Sequence, residues 1–328
     1  MNFRKLLYAA ALVLSIAACK KEEETETTPS LDGYLKIHGL PEFVRPGEKV
    51  TLKASGVEHP DGKAITYHWK VTPSQTEYTE TEVFEHTFSD TLRTYTVNCY
   101  VAAEGYSNSY ASSYATAVAP GYNGSISGIS YNKIADDSLF VRHMPVYYKT
   151  IGSQTWTINN LGLRSGKPFR NADVMSEVFG RYYDFNQAKA VCDSLDRDGQ
   201  NWELPSMEDW AILEAEISSK TGEGLKYGKT LSAAMIVDAV FNGNKFWEYW
   251  PAIGEMTNAS GFSAISTGYA NILAGSYEGE FEYATFWTSD QASSTEGYYK
   301  YMICDQNGLF NGKGNKESFG ASVRCIRK

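Results

Sequence analysis

Between residues 49 and 101 the chain falls into short runs of alternating polar and apolar residues, each closed by a turn signal. Only a layered antiparallel sheet suits that pattern. Lys49-Val50-Thr51-Leu52-Lys53-Ala54 alternates residue by residue, so one face of the strand is apolar. His59-Pro60-Asp61-Gly62-Lys63 is a turn, and Ile65-Thr66-Tyr67-His68-Trp69-Lys70-Val71 is the next strand. Val83 to Phe88 and Arg93 to Val101 follow at the same spacing. The spacing predicts an all-β sandwich over residues 33–119, with Trp69 in its core.

Ala119-Pro120-Gly121-Tyr122-Asn123-Gly124-Ser125 is rich in turn formers and marks a boundary. Residues 120–328 have a different texture. Phe140 to Leu161 looks like strands carrying Tyr147, Tyr148 and Trp156. Asp184-Phe185-Asn186 can cap a helix in which Ala188, Val191, Cys192 and Leu195 fall at helical spacing. Ser206 and Asp209 stand at capping-box spacing before a second helix, whose inward stripe is Trp210, Leu213 and Ile217. Residues 222–283 are loop-rich and aromatic, and strand-like segments over 284–289, 298–304 and 321–326 close the chain. Early helices, an irregular middle and closing strands read as α+β.

The N-terminus carries an address. Arg4 and Lys5 precede an apolar stretch from Leu6 to Ala18 that is too short to span a bilayer, and Ile16-Ala17-Ala18-Cys19 is a lipoprotein cleavage motif. Residues 1–18 read as a signal peptide, Cys19 as the acylated first residue of the mature chain, and residues 19–32 as an acidic tether with nothing to bury. Lys20-Lys21-Glu22-Glu23-Glu24 resembles the surface-export signal of Bacteroidota lipoproteins. That implies a lipid anchor in the outer membrane with the protein exposed at the cell surface.

The formal charge is −9, and removal of Arg4 and Lys5 with the leader takes it to about −11. Lys and Arg are scattered with no basic stripe, which argues against nucleic acid and anionic headgroups as partners and leaves the N-terminal lipid as the membrane contact. In an oxidising compartment Cys99, Cys192, Cys304 and Cys325 remain after Cys19 is acylated, none in CxxC spacing, and the sequence leaves their three full pairings open.

Two resemblances add to these readings. The run Pro46-Gly47-Glu48-Lys49-Val50-Thr51-Leu52, then Tyr67-His68-Trp69-Lys70-Val71 and Thr94-Tyr95-Thr96-Val97, is similar to PKD-like and other immunoglobulin-like domains over residues 33–119. Further on, five phrases stand in the order of the Fibrobacter major paralogous domain, a secreted module related to C-type lectin-like folds. They are Gln154-Thr155-Trp156-Thr157-Ile158-Asn159-Asn160-Leu161, Tyr182-Tyr183 with Ala188, Val191 and Cys192, Trp202-Glu203-Leu204-Pro205-Ser206 with Asp209-Trp210, Phe286-Trp287-Thr288-Ser289, and Ala321-Ser322-Val323-Arg324-Cys325-Ile326. Two departures stand out: Asp193 to Gln200 lengthen the link after the first helix, and Glu203 replaces a basic residue. The resemblance implies a multidomain chain, an immunoglobulin-like sandwich followed by an α+β C-type lectin-like domain. It also implies a Cys192–Cys325 disulfide, with Cys99 and Cys304 left as buried thiols.

All five histidines (His38, His59, His68, His86 and His143) precede Met144, so residues 144–328 have no histidine for Ser-His-Asp or Cys-His chemistry or for a His-ligated zinc. Asp193, Asp196, Asp198, Asn201 and Glu203 do not follow the order of an EF-hand loop and read as turn formers. Glu214 with Glu216, and Glu278, Glu280 and Glu282, read as exposed faces rather than paired catalytic carboxylates. No metal or cofactor is expected. Trp247, Tyr249 and Trp250 sit together in the loop-rich middle, where flat rings suit stacking on sugars and equally suit the core of an irregular region. The expected function is non-catalytic binding of an extracellular ligand, a glycan first and a cell-surface protein second. The alternative is a structural or adhesive surface component, such as an accessory of a fimbria or envelope complex.

Overall fold

The computed structural model describes residues 28–328 apart from residues 75, 80, 122–123, 143 and 196–198. The expected signal peptide (residues 1–18), the expected acylation site Cys19 and most of the expected tether lie outside the described residues. Among the described residues no helix is long and apolar enough to cross a membrane.

Alternation along the first strands produces two facing sheets. One has the order β1 (Asp32–His38), β3 (Lys49–Glu58), β6 (Val83–Thr87). The other runs β2 (Phe43–Val44), β8 (Ser109–Ala117), β7 (Thr94–Ala102), β4 (Thr66–Thr72), β5 (Thr76–Thr79). Val50, Leu52, Ala54 and Val57 of β3 face Tyr95, Val97, Cys99 and Val101 of β7 across one core. Trp69 is 2% exposed, stacks on Phe84 at 5.3 Å and donates from its indole N–H to the Thr81 carbonyl at 3.1 Å. The Tyr95 hydroxyl donates back to the Thr91 carbonyl at 3.0 Å, a corner that locks the entry to β7. A core tryptophan between two antiparallel sheets and a tyrosine corner are the marks of an immunoglobulin-like sandwich.

The second unit is β-rich with few helices. A short sheet joins β9 (Ile126–Ser127) to β15 (Val240–Phe241) and β16 (Asn244–Lys245). After α1 (Tyr131–Ile134), an antiparallel sheet takes the order β10 (Asp137–Val141), β11 (Met144–Ile151), β12 (Gln154–Thr157), β23 (Ile326–Arg327). β13 (Lys167–Pro168) pairs with β14 (Arg181–Tyr182), with 3-10 turns at Phe169–Asn171 and Asp173–Glu177 between them. The largest sheet runs β18 (Ser276–Glu280), β17 (Thr267–Asn271), β19 (Tyr283–Gln291), β20 (Glu296–Ile303), β21 (Gln306–Asn315), with β22 (Phe319–Gly320) added to β17.

Helix α2 (Phe185–Asp193) starts where Asp184 accepts from Gln187 N at 2.8 Å and Gln187 answers by accepting from Asp184 N at 3.1 Å. Helix α3 (Met207–Ser218) starts on the same device, Ser206 Oγ accepting from Asp209 N and Asp209 Oδ2 accepting from Ser206 N. These reciprocal caps satisfy donors that a helix start leaves unpaired. A fourth helix, α4 (Leu231–Met235), is buried along its length.

The C-terminal segment binds the unit together. Ala321 pairs with Tyr183, Ser322 with Phe286, and Ile326 with both Glu203 and Trp156. Cys325 is disulfide-bonded to Cys192 at the end of α2, with the Cα atoms 5.5 Å apart. Trp156, Trp210, Phe262 and Phe286 form an aromatic cluster with centroid separations from 4.7 to 6.0 Å. Trp202 and Trp287 are buried around the disulfide.

The two units meet at the linker and at the loop between β2 and β3. β8 ends at Ala117 and β9 begins at Ile126; in between, Ala119 and Ser125 bond to each other, and Asn242 donates to the Ala117 carbonyl at 2.7 Å. Arg170 reaches Glu42 of the sandwich and, at 3.0 Å, Glu280 of β18. Arg45 pairs with Glu177 at 3.2 Å, and Phe43 contacts the Phe169 ring at 5.9 Å. These contacts place the loop from β2 to β3 over the 3-10 turns, and a cleft opens beside them.

Candidate functional site

The cleft has a volume of about 250 Å³ and lies where Pro120 and Gly121 of the linker meet the second unit. Alternation along β11 turns Val146 and Tyr148 inward and presents Tyr147 to the cleft. The Tyr147 ring lies flat on Tyr131 of α1, 4.5 Å away at an interplanar angle of 12°. Ile126, Val178 and Ile265 continue the apolar wall. Polar groups punctuate it. Asn159 is held in place by accepting from Tyr147 N at 2.8 Å and donating to the Pro145 carbonyl at 3.2 Å. Ser176 is 6% exposed, and its buried hydroxyl has no hydrogen-bond partner.

The floor is Asn160, and the network beneath it is the most polar part of the interior. Asn160 Nδ2 donates to the Phe179 carbonyl at 3.1 Å, and Thr267 and Ser322 hydroxyls lie 3.3 and 3.2 Å from it. Its Oδ1 accepts from Nε of Arg324. Arg324 is 0% exposed and gives its other donors to the carbonyls of Thr157, Phe262 and Ser263 at 3.0–3.2 Å. The guanidinium also sits over the Phe262 and Phe286 rings, 4.9 and 5.5 Å from their centroids. Burial pushes its pKa down to about 10, so it stays charged at neutral pH in a cage of carbonyl dipoles and ring faces. Gly180 belongs to this geometry: at φ +78°, a Cβ there would stand 2.6 Å from that of Asn160.

Met144, Ser176 and Glu177 line both this cleft and a wider groove of about 660 Å³. Four arginines line the groove: Arg45, Arg142, Arg164 and Arg181. Asp173 and Glu177 are its carboxylates, engaged by Arg181 and Arg45 respectively. Arg181 is 7% exposed; it donates to the Gly166 carbonyl at 2.8 Å and leaves its buried Nε without a partner.

The expected site residues are dispersed. Trp247 corrects the stacking expectation: it is 1% exposed and donates to the Ala264 carbonyl at 3.0 Å, so its ring belongs to the core. Its neighbours Phe246 and Ile253 are buried with it, because a region with only two-residue strands and one short helix needs large side chains to fill it. Tyr249 and Trp250 are 63% and 41% exposed and remain accessible, away from the cleft walls. Cys192 and Cys325 form the disulfide; Cys99 and Cys304 are buried free thiols. Cys19 lies outside the described residues, as do Asp196 and Asp198 of the acidic cluster. Among the described residues no three His, Cys, Asp or Glu side chains are grouped to hold a metal ion. The acidic pairs have structural partners: Glu214 faces Lys300 at 3.8 Å, Glu216 pairs with Lys220, Glu278 accepts from Tyr269 at 3.2 Å, and Glu280 takes Arg170.

Tyr131, Ser176 and the groove arginines were not legible as a group. They come from α1, the turn Asp173–Glu177 and four separate loops or strand ends, and only strand alternation around Tyr147-Tyr148 hinted that one ring points outward.

An immunoglobulin-like sandwich joined to a β-rich, disulfide-closed unit with a cleft at the junction defines a two-part β protein. The chain belongs to the Fibrobacter succinogenes major domain family, whose model matches residues 150–327. Among solved structures, it is similar to the solution structure of the PKD domain from human VPS10 domain-containing receptor SorCS2. The identity is 17%, the match covers 36% of this chain and 97% of that one, and the TM-score is 0.22. A search of the curated proteins finds no match to it.

Proposed function

We propose that this chain is a lipid-anchored surface protein that binds an extracellular carbohydrate without catalysis. Cys19 carries the lipid, residues 20–32 form the tether, the sandwich acts as a PKD-like spacer, and the second unit is a C-type lectin-like head. The observation that carries the reading is the cleft: a tyrosine ring along an apolar wall, with Asn159 and an unpartnered Ser176 hydroxyl set into it. Sugars present apolar C–H faces and hydroxyls together, and a wall of this mixed kind suits both. The test is a glycan array probed with the full-length chain in mild detergent, with and without chelator, beside Tyr147→Ala and Trp250→Ala. Glycan binding lost in Tyr147→Ala supports the cleft; loss only in Trp250→Ala moves the site to the exposed loop, and no binding to any glycan overturns the reading. Incorporation of labelled fatty acid, abolished in Cys19→Ala, tests the anchor.

A second reading, an adhesive or structural surface component that binds protein, is favoured by one feature of the sandwich. His68, Tyr100 and Tyr110 stand directly opposite one another on β4, β7 and β8, with ring separations of 4.3 and 5.7 Å. Tyr110 is 70% exposed, so this ladder ends in an accessible ring of the kind protein interfaces use. Capture of an envelope protein by the wild type and not by Tyr110→Ser would give it priority.

A further inference from the structure

We propose that the arginine groove is an anion subsite, and that the glycan held in the adjoining cleft is acidic, with its carboxylate or sulfate received by Arg142 and Arg164. This rests on the carbohydrate reading and adds to it the chemical class of the ligand.

Charge is the first argument. The chain carries −9 overall, yet one groove collects four guanidiniums against two carboxylates. In a chain with scattered basic residues, such a local excess creates a positive potential inside a concave, low-dielectric surface, where it is strongest. Availability is the second. Asp173 and Glu177 occupy Arg181 and Arg45. Arg142 and Arg164 are exposed and make no hydrogen bond or ion pair among the described residues. Two free guanidiniums present planar, paired donors that match a carboxylate or sulfate edge.

The third argument is the wall itself. Ser176 Oγ and Arg181 Nε are buried and have no partner. A buried polar atom without a partner costs about 1–3 kcal/mol, so two on one concavity mark a place where a ligand can complete the hydrogen bonding. Ser176 stands at the junction of the two concavities, which makes the apolar cleft and the arginine groove one continuous surface. A neutral sugar would use the tyrosine wall and leave the arginines idle. An acidic sugar residue uses both, its ring against Tyr147 and its anion among the arginines.

The experiment compares acidic glycans with their neutralised counterparts on the full-length chain: oligogalacturonides against their methyl esters, and sulfated chains against desulfated ones. The variants are Arg142→Gln/Arg164→Gln and, as a remote control, Arg93→Gln. Both groove arginines are exposed, so melting temperature should match the wild type. The expected result is binding of at least one acidic glycan, weakened about tenfold or more by neutralisation, by the double variant and by added salt, and unchanged in Arg93→Gln. Equal binding of acidic and neutralised forms overturns the anion subsite and leaves the carbohydrate reading standing. Equal loss in Arg93→Gln also overturns the subsite, because the attraction is then diffuse. If no glycan binds while inorganic sulfate raises the melting temperature of the wild type and not of the double variant, the anion site stands and the carbohydrate reading falls. If neither glycan nor sulfate has an effect, both fall.

Discussion

Nε of Arg324 donates to Oδ1 of Asn160 at 3.0 Å across 164 residues of chain, and that bond joins the C-terminal segment before β23 to the floor of the cleft. The guanidinium is fully desolvated and no carboxylate faces it; carbonyls and ring faces hold it instead. Removing it strands four acceptors that water cannot reach. Arg324→Met should therefore destabilise the chain by about 3–5 kcal/mol in urea denaturation, and Arg324→Lys should recover little of it, because a compact ammonium cannot span the fork of acceptors. A loss below 1 kcal/mol in Arg324→Met would show that the cage closes around an apolar chain.

The Cys192–Cys325 disulfide closes a loop with a sequence separation of 133. On the chain-entropy model such a closure contributes about 4–5 kcal/mol, so Cys192→Ala/Cys325→Ala should lower the melting temperature sharply. Cys99 and Cys304 should react with iodoacetamide only after unfolding. Burial pushes the Cys99 thiol up to about 12, and burial, with Asp305 and Glu282 nearby, pushes Cys304 up as well. Rapid labelling of either in the folded chain would contradict their burial.

Trp247 and Trp250 should differ sharply in what they contribute to stability. Trp247→Ala should cost about 3–5 kcal/mol, because it empties a core site and leaves the Ala264 carbonyl without its donor. Trp250→Ala should be within about 0.5 kcal/mol of the wild type, since a 41% exposed ring fills no cavity. Denaturation curves for the two variants decide this.

Asp209 gives the chain a stability component that depends on acid. Burial acts to raise its pKa, but hydrogen bonds from Ser206 and the ammonium of Lys328 outweigh that and hold it below the ordinary 3.8. A carboxyl depressed in the folded state stabilises fully above its unfolded value and loses that contribution as pH falls through the folded one. Asp209→Asn should cost about 1–2 kcal/mol at pH 7, because the amide keeps one oxygen for the Ser206 N–H but loses the charge that Lys328 meets at 3.1 Å, with the gap from the wild type narrowing below pH 3.8. A gap that stays constant down to pH 2 would remove Asp209 from the acid response.

Local chemistry carried much of the fold into the sequence. Alternation around Val50 and Val97 gave the sandwich, and the Asp184 and Ser206 caps gave the two longer helices at their observed starts. Trp69 and Trp210 are core residues, as the strand and helix patterns placed them, and Trp156, Trp202 and Trp287 are buried as well. What stayed hidden has no local period. Trp247 is buried by a fold of two-residue strands, where a stripe of three or four residues cannot reveal which side faces in. The cleft is assembled from residues near 120, 131, 147 and 176, and the Arg324 cage from residues near 157, 262 and 324; proximity over such separations leaves no mark in a single sequence.

The junction between the units governs the shape of the cleft, and it rests on few contacts. Arg170 between Glu42 and Glu280 and Arg45 beside Glu177 are partly exposed ion pairs, each contributing about 0–1 kcal/mol. The Phe43–Phe169 ring contact adds about 0.5–1.5 kcal/mol. Phe43→Ala/Arg170→Ala should therefore leave the unfolding of each unit nearly unchanged while loosening their seat on each other. The expected signature is faster hydrogen exchange over residues 41–48 and 169–174, a larger radius of gyration in solution scattering, and weaker ligand binding, because Arg45 of the sandwich loses its fixed place in the groove. Unchanged exchange and scattering would mean that the linker bonds of Ala119, Ser125 and Asn242 suffice to hold the two units in register.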